Sequence, residues 1–390
     1  MAEQFLRRTW AEIDLDALRQ NFENIRCHVT AGCRTMAIVK ANAYGHGVSR
    51  CARVLADAGA DWFGVSNVEE AIELRRLGIA QPILILSYTP PQQAAVLARY
   101  DITQTVVSAD HAAELSAAAV EAGVSLAVHI AVDTGMTRVG FPYNASSTEE
   151  DIAAACALPA LKATGIFTHF AVADEPDGEA FTREQYARFM RLTEALAARG
   201  IVFELRHCCN SAATVRFPDM HLDMVRPGLI MYGLMPDSTM RSSLQLSPVM
   251  SLKTAVSQVK SVAAGETVSY GRTYTAPTNI RTATVAIGYA DGFPRGGGDR
   301  HVMLRGKLVP VIGRVCMDQT VLDASAVEQA AAGDVALIFG RDGENVRPVE
   351  AYAAECDTIH YEIICAVGRR VPRIFVQGGT AIDEQNELLD

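Results

Sequence analysis

Lys40 closes a short apolar run, residues 36–39, and is followed by the small residues Ala41, Asn42 and Ala43, then by Tyr44 and the triplet Gly45-His46-Gly47. An amine delivered to the end of an apolar strand is a candidate nucleophile, because burial disfavours the ammonium form and lowers its pKa. Imine chemistry is the reaction class that such a lysine serves. The ordinary alternative is a lysine that snorkels from a strand end to solvent. Glycines on both sides of His46 permit positive φ and close approach of the backbone to a ligand, and Tyr44 adds a hydroxyl four residues beyond the lysine.

Other polar groups recur where apolar runs end. Residues 126–132 lead into Asp133-Thr134-Gly135-Met136, with Arg138 just beyond, and residues 163–168 lead into His169. Residues 203–208 lead into Asn210-Ser211, and 222–225 into Arg226-Pro227-Gly228-Leu229. Ser211 at the start of a short helix, with Gly228 and Leu229, offers a hydroxyl and main-chain N–H groups to a dianionic phosphate. Taken singly, Asn-Ser is a common helix cap and Pro-Gly a common turn. Their joint placement is what points to a site. The nine cysteines are scattered without metal-ligand spacing, and no HExxH, EF-hand, Walker A or GxGxxG pattern occurs, so the expectation is reduced thiols and no metal.

The elements that must position these groups alternate regularly. A helix is expected over residues 13–31, then strands near 36–39, 62–66, 82–86, 103–107, 126–132, 163–168, 203–208 and 222–225, with helices between them. Eight strand–helix units in about 225 residues is the count of a (β/α)8 TIM barrel, whose chemistry sits at the C-terminal strand ends. A doubly wound sheet is the alternative. Beyond about residue 240 the texture changes to short runs separated by glycines, which predicts a mostly-β C-terminal domain. The expected division is residues 12–240 and 241–390, with 1–11 as candidates to join the second domain and the boundary between 233 and 247.

The length of 390 residues calls for two domains, and a formal charge of −10 argues against nucleic acid as a partner. No run of about 18 apolar residues is present and the first residues do not read as a signal peptide, so the expectation is a cytosolic chain with no membrane contact of its own.

Nine motifs resemble, in order and spacing, those of the alanine racemase family: KANAYGHG (40–47), DTGMTRVG (133–140), THFAVAD (168–174), NSAAT (210–214), RPGLIMYG (226–233), VSYG (268–271), IGYADG (287–292), GRVCMDQ (313–319) and RRVPRIF (369–375). The resemblance implies a barrel holding pyridoxal 5′-phosphate, a β domain, and a head-to-tail homodimer in which each active site is completed by the partner. It implies that Lys40 is the Schiff-base lysine and that Tyr270, from the other subunit, is the second acid/base residue. Tyr44, Ser211, Gly228 and Leu229 resemble phosphate ligands, with Asn210 beside them; Arg226 resembles the arginine that faces the pyridine nitrogen, and His169 the histidine near it. Arg138 resembles the arginine on the cofactor phenolate, Met317 the residue at the substrate carboxylate with Cys316 and Asp318 flanking it, and Tyr289 the entrance tyrosine. The implied activity is interconversion of L- and D-alanine for cell-wall peptidoglycan. Two bases must straddle the reacting carbon, and lysine and tyrosine side chains ordinarily titrate near pH 10, so their surroundings must tune them. An arginine at the pyridine nitrogen keeps that nitrogen unprotonated, which suits a racemase better than a transaminase.

The chain departs from the family pattern twice. Ala131 stands where many members carry a lysine, often carbamylated, that supports the equivalent of Arg138; a bound anion, a water or a side chain such as His129 is the expected substitute. Arg369 stands where a tyrosine usually precedes the RVPR motif; it retains the capacity to bind phosphate and leaves room for a larger substrate side chain. A departure at this position also resembles the serine racemase domains of vancomycin-resistance systems, which follow a membrane segment in a longer polypeptide. Serine is therefore the alternative substrate, with a pyridoxal-phosphate homeostasis protein and a decarboxylase of the same architecture as more distant alternatives.

Overall fold

The computed structural model describes residues 8–389 except 238 and 241–243, so residues 1–7 and part of the expected boundary region lie outside the described residues. The chain divides into two compact units, one made of Leu18–Ala43 and Val48–Ser247, the other of Met1–Ala17, Tyr44–Gly47 and Pro248–Asp390.

The first unit is a nearly closed parallel barrel. Its strands are Arg34–Ile38, Trp62–Val65, Ile83–Ile85, Ile102–Val106, Leu126–Asp133, Leu161–Phe167, Leu205–His207 and Met224–Val225, each paired with the next in this order, except that the seventh and eighth are not joined as a ladder. The eighth strand pairs with the first (Val225 with Thr35), and the remaining seam is stitched by Asp223 N–H to Arg206 O at 3.1 Å and Arg226 N–H to Cys209 O at 2.9 Å. Trp62–Val65, Ile83–Ile85 and Ile102–Val106 are short and buried throughout, as strands covered on both faces must be. Helices follow the strands; Val68–Arg76 and Ala109–Glu121 start at Asn67 and Ser108, whose side chains accept from the N–H three residues on.

The second unit is built on a ten-stranded sheet. Its central path runs Lys307–Pro310, His301–Leu304, Val335–Asp342, Met250–Val262, Thr9–Asp14, Arg373–Gln377, Thr380–Gln385, with Ile280–Val285, Thr320–Asp323 and Asn345–Arg347 attached at its side. Residues 13 and 14 were expected to be helical. They instead end a strand that lies antiparallel to Met250–Val262 and parallel to Arg373–Gln377, and the helix is Leu15–His28. Asp14 makes the changeover, its carboxylate accepting from Ala17 N–H at 2.9 Å. Strand Thr320–Asp323, helix His360–Cys365 and strand Thr380–Gln385 were not foreseen.

Within this unit Arg373, 1% exposed, donates to four main-chain carbonyls: Gly45 at 3.0 Å, Gly368 at 2.8 Å, Val371 at 2.7 Å and Val367 at 2.6 Å. Gly45 and Gly47 have positive φ, as expected, but their close neighbours are other parts of the protein itself. A Cβ on Gly45 would lie 2.1 Å from Ile364 O, and one on Gly47 2.9 Å from the Phe375 ring. Replacing Arg373 with leucine removes these four hydrogen bonds, leaving Gly368 O only the N–H of Val371 at 3.1 Å, and we expect it to cost about 3–5 kcal/mol of stability. Guanidinium chloride unfolding checks this, and an unchanged midpoint would refute the role assigned to the arginine.

Candidate active site

The first barrel strand ends at Ile38, whose carbonyl accepts from the buried Tyr232 hydroxyl at 3.1 Å, and Val39 then delivers Lys40 half-buried. The chain next makes a left-handed turn: Ala41, Asn42, Ala43 and Tyr44 all have φ between 52° and 54°. For residues with a Cβ this conformation costs about 1–2 kcal/mol each, so the surroundings must enforce it. Glu70, at the start of helix Val68–Arg76, accepts from Ala41 N–H and Ser66 N–H, both at 2.7 Å, and Asn42 Oδ1 accepts from Val48 N–H at 2.7 Å. Glu70 was not singled out in the sequence; its signal was an Asn cap with Glu three residues on.

Arg226, just past the eighth strand, is 3% exposed. Its Nη1 donates to His207 Nδ1 at 2.9 Å, and its Nη2 to Thr168 O at 2.9 Å, His169 Nδ1 at 3.2 Å and Cys208 O at 3.2 Å. Every one of these acceptors is neutral. Burial pulls its pKa down to about 10, against the opposing pull of Cys208 and Cys209. His169 is held well below its ordinary value by burial first and then by the positive charges of Arg226, Arg138 and Lys40, so the ring is neutral and these cations gather around it. His207, held low by burial and by Arg226, stacks on Phe167 with centroids 4.9 Å apart, and its Nε2 meets His129 Nδ1 at 3.0 Å. His207 was missed in the sequence, where a lone histidine three residues before Asn210 carries no distinguishing pattern.

Ser211 and Gly228 are brought together, Gly228 N–H donating to Ser211 Oγ at 2.9 Å, with Leu229 opening the next short helical turn. Asn210 caps the short helix Ser211–Arg216 by accepting from Ala213 N–H at 3.0 Å. Asp133 organises its own loop, accepting from Gly135 N–H at 2.9 Å and Thr137 N–H at 3.0 Å. Arg138 beyond it is exposed, with no ion-pair partner among the described residues. Among the described residues His129 does not support it: its Nδ1 meets His207 and its Nε2 has no hydrogen-bond partner.

In the strand-rich unit, Tyr270 sits on the turn between strands Thr267–Val268 and Tyr274–Thr275 and is 67% exposed. Ser269 before it adopts φ 63°, ψ −174°, a conformation otherwise left to glycine, and its hydroxyl donates to Arg314 O. Gly313 has no room for a side chain beside Val268 O and Ser269 Cβ. The loop 313–318 is therefore tied to the Tyr270 turn on one side. On the other, Tyr289 N–H and Ala290 N–H donate to Cys316 O at 3.1 Å and Met317 O at 3.0 Å. Met317 is 52% and Tyr289 42% exposed. Asp318 accepts from Arg370 at 2.8 Å, and Arg370 and Arg8 converge on the fully buried Asp291 at 3.6 and 2.6 Å. Arg369 is exposed and reaches Glu387 O at 3.4 Å. Tyr44 packs near Tyr361, ring centroids 6.4 Å apart, and burial pushes its phenol above the ordinary range. Among the described residues no cluster of histidines, cysteines and carboxylates has the arrangement of a metal site.

Comparison with known proteins matches residues 13–236 to the family model described as alanine racemase, N-terminal domain, and residues 249–375 to alanine racemase, C-terminal domain. Proteins named alanine racemase from Desulforamulus reducens and Desulfovibrio desulfuricans are each 45% identical, over 94% and 96% of this chain and 98% and 99% of theirs. The solved alanine racemase of Clostridium difficile 630 superposes with a TM-score of 0.94 at 35% identity over 99% of this chain and 100% of its own. That of Bacillus anthracis, solved with bound L-Ala-P, gives 0.93 at 36% identity over 99% of both.

The neutral histidines make a stability prediction. Their folded pKa values lie below the unfolded value near 6.5, so the unfolded chain binds more protons in between. The stability they contribute is complete above pH 6.5 and is lost as the pH falls toward the folded value, about 3 for His129. We expect the loss of stability between pH 7 and 5 to be shallower in His129→Leu by up to about 2 kcal/mol, read from denaturant midpoints at each pH. Parallel curves would contradict the buried neutral ring.

Proposed function

The chain belongs to the alanine racemase family, and from that premise we propose that it interconverts L- and D-alanine, with pyridoxal 5′-phosphate as cofactor and Lys40 and Tyr270 as the two bases. The observation that carries the reading is the buried guanidinium of Arg226, surrounded by imidazole lone pairs and main-chain carbonyls, with no carboxylate among its hydrogen-bond partners in the described residues. It offers an aromatic ring nitrogen a donor that does not surrender its proton.

The donor set fits the cofactor. Lys40 supplies the amine, and Ser211, with the backbone at Gly228 and Leu229 and with Asn210 capping the helix, supplies groups of the kind that hold a phosphate dianion. Tyr44 and Arg369 are the further phosphate contacts in this reading. Pyridoxal 5′-phosphate, when bound, supplies the electron sink that makes the substrate α-proton labile. One of Lys40 Nζ and Tyr270 Oη removes that proton from one face while the other returns a proton to the opposite face. Arg138, Met317 and Asp318 orient the cofactor phenolate and the substrate carboxylate, His169 braces Arg226, and Tyr289 lines the entrance.

We place Tyr270 in the active site of a second copy. The exposure of Tyr270, Met317 and Tyr289, three apolar-bodied side chains linked through one loop system, supports a homodimer in which a partner covers them. D-alanine made in this way serves peptidoglycan synthesis. Among the described residues no helix is long and apolar enough to cross a membrane. Serine remains the second reading, favoured by Arg369, whose side chain is exposed where family members usually carry a tyrosine.

The test is enantiomer interconversion of L-alanine and L-serine measured side by side on purified protein, with Lys40→Ala as blank. We expect alanine to be faster by roughly tenfold or more, and Lys40→Ala to lose at least about a thousandfold. Serine at an equal or greater rate would transfer the activity to serine, and turnover of neither would defeat the reading.

A further inference from the structure

The contacts behind Arg226 determine where protons sit. A guanidinium only donates, so His207 Nδ1, 2.9 Å from Arg226 Nη1, must present a lone pair. A neutral His207 then carries its proton on Nε2, and that proton points along the 3.0 Å contact to His129 Nδ1. His129 is in turn the acceptor and carries its own proton on Nε2, which has no hydrogen-bond partner among the described residues. No other arrangement of neutral rings works, because a proton on His207 Nδ1 would face an arginine N–H, and a proton on His129 Nδ1 would leave His207 with none.

The surroundings hold both rings where this chain of contacts needs them. A Cβ on Gly165 would fall 2.6 Å from His129 Nε2 and 2.7 Å from Cδ2 and Cε1 of the same ring, so the His129 ring occupies space that only glycine leaves. Trp62 packs on the ring at 5.3 Å and Phe167 lies nearly parallel to His207. Glycine and histidine are direct register partners, Gly165 opposite His129, at a local irregularity of the two strands.

We infer that His129 is a positioning residue for Arg226: by accepting from His207 Nε2 it fixes the His207 tautomer whose lone pair holds the guanidinium in place. Without that acceptor the His207 N–H is buried unsatisfied, and relief comes by rotating or re-protonating the ring, either of which releases Nη1 of Arg226. The assignment of protons stands on the geometry alone; its bearing on turnover rests on the racemase reading above.

Two measurements on the holoprotein test it. Neutron diffraction from crystals exchanged into D2O is expected to show deuterium on Nε2 of both His207 and His129 and on neither Nδ1. Deuterium on Nδ1 of either ring, or on both nitrogens of one, overturns the inference whether or not any variant folds. In alanine racemisation, His129→Leu is expected to lower kcat by about tenfold with KM held within about twofold. His129→Asn, whose amide oxygen takes the place of Nδ1, is expected to recover most of the loss. An unchanged kcat in His129→Leu, or equal loss in both variants, overturns the positioning role. Absence of racemisation by the unaltered protein would instead overturn the reading beneath the kinetic arm, while the neutron arm would decide the proton assignment on its own.

Discussion

A positive charge taken out of water without an anion beside it is the constraint on which the barrel's functional end depends. Arg226 is buried, and its partners are two imidazole nitrogens and two carbonyls. Desolvating a guanidinium is costly unless its donors are satisfied. The structure meets that demand with hydrogen bonds; burial first, and then the charge of Arg226, keeps His207, His169 and His129 neutral and so keeps them acceptors. A carboxylate in the same place would neutralise the guanidinium and remove its capacity to meet an electron-rich ligand atom.

Lys40 is set by a second constraint, in the backbone. Four consecutive left-handed residues with side chains are a costly conformation, sustained here by Glu70 and Asn42, which take up amides at the turn. Tyr44–Gly47 belongs to the strand-rich unit, where Arg373 and the close contacts of Gly45 and Gly47 hold it. In that same unit the turn bearing Tyr270 and the loop bearing Met317 are locked together through Ser269, Arg314 and the 288–290 turn. Lys40 and Tyr270 therefore each adjoin strained backbone, Ala41–Tyr44 and Ser269, held by hydrogen bonds from neighbouring residues.

Much of this was legible in the sequence because it is written in local patterns. Alternating apolar runs and glycine stops gave the barrel strands nearly to the residue, and polar residues just past those runs, Lys40, His169, Ser211 and Arg226, fell where strand ends place them. The illegible part depends on partners remote in sequence. Ile13 and Asp14 read as the start of a helix until Met250–Val262 and Arg373–Gln377 flank the strand they end. His207 and His129 look like isolated core histidines until two strands bring their rings to 3.0 Å. Gly45 and Gly47 suggested room for a ligand, whereas the room is filled by Ile364 and Phe375. Arg373 showed only as part of a motif, with no sign that four carbonyls converge on it.

In the function we propose, proton removal and return are divided between two bases acting on opposite faces, Lys40 and Tyr270. The most direct measurement follows the α-hydrogen of L- and D-alanine by NMR in D2O with a Tyr270→Phe variant of the holoprotein. Inversion is expected to be lost while one enantiomer alone still exchanges its α-hydrogen with retention of configuration, the remaining base serving that face. Inversion at the unaltered rate, or equal exchange of both enantiomers, would contradict it.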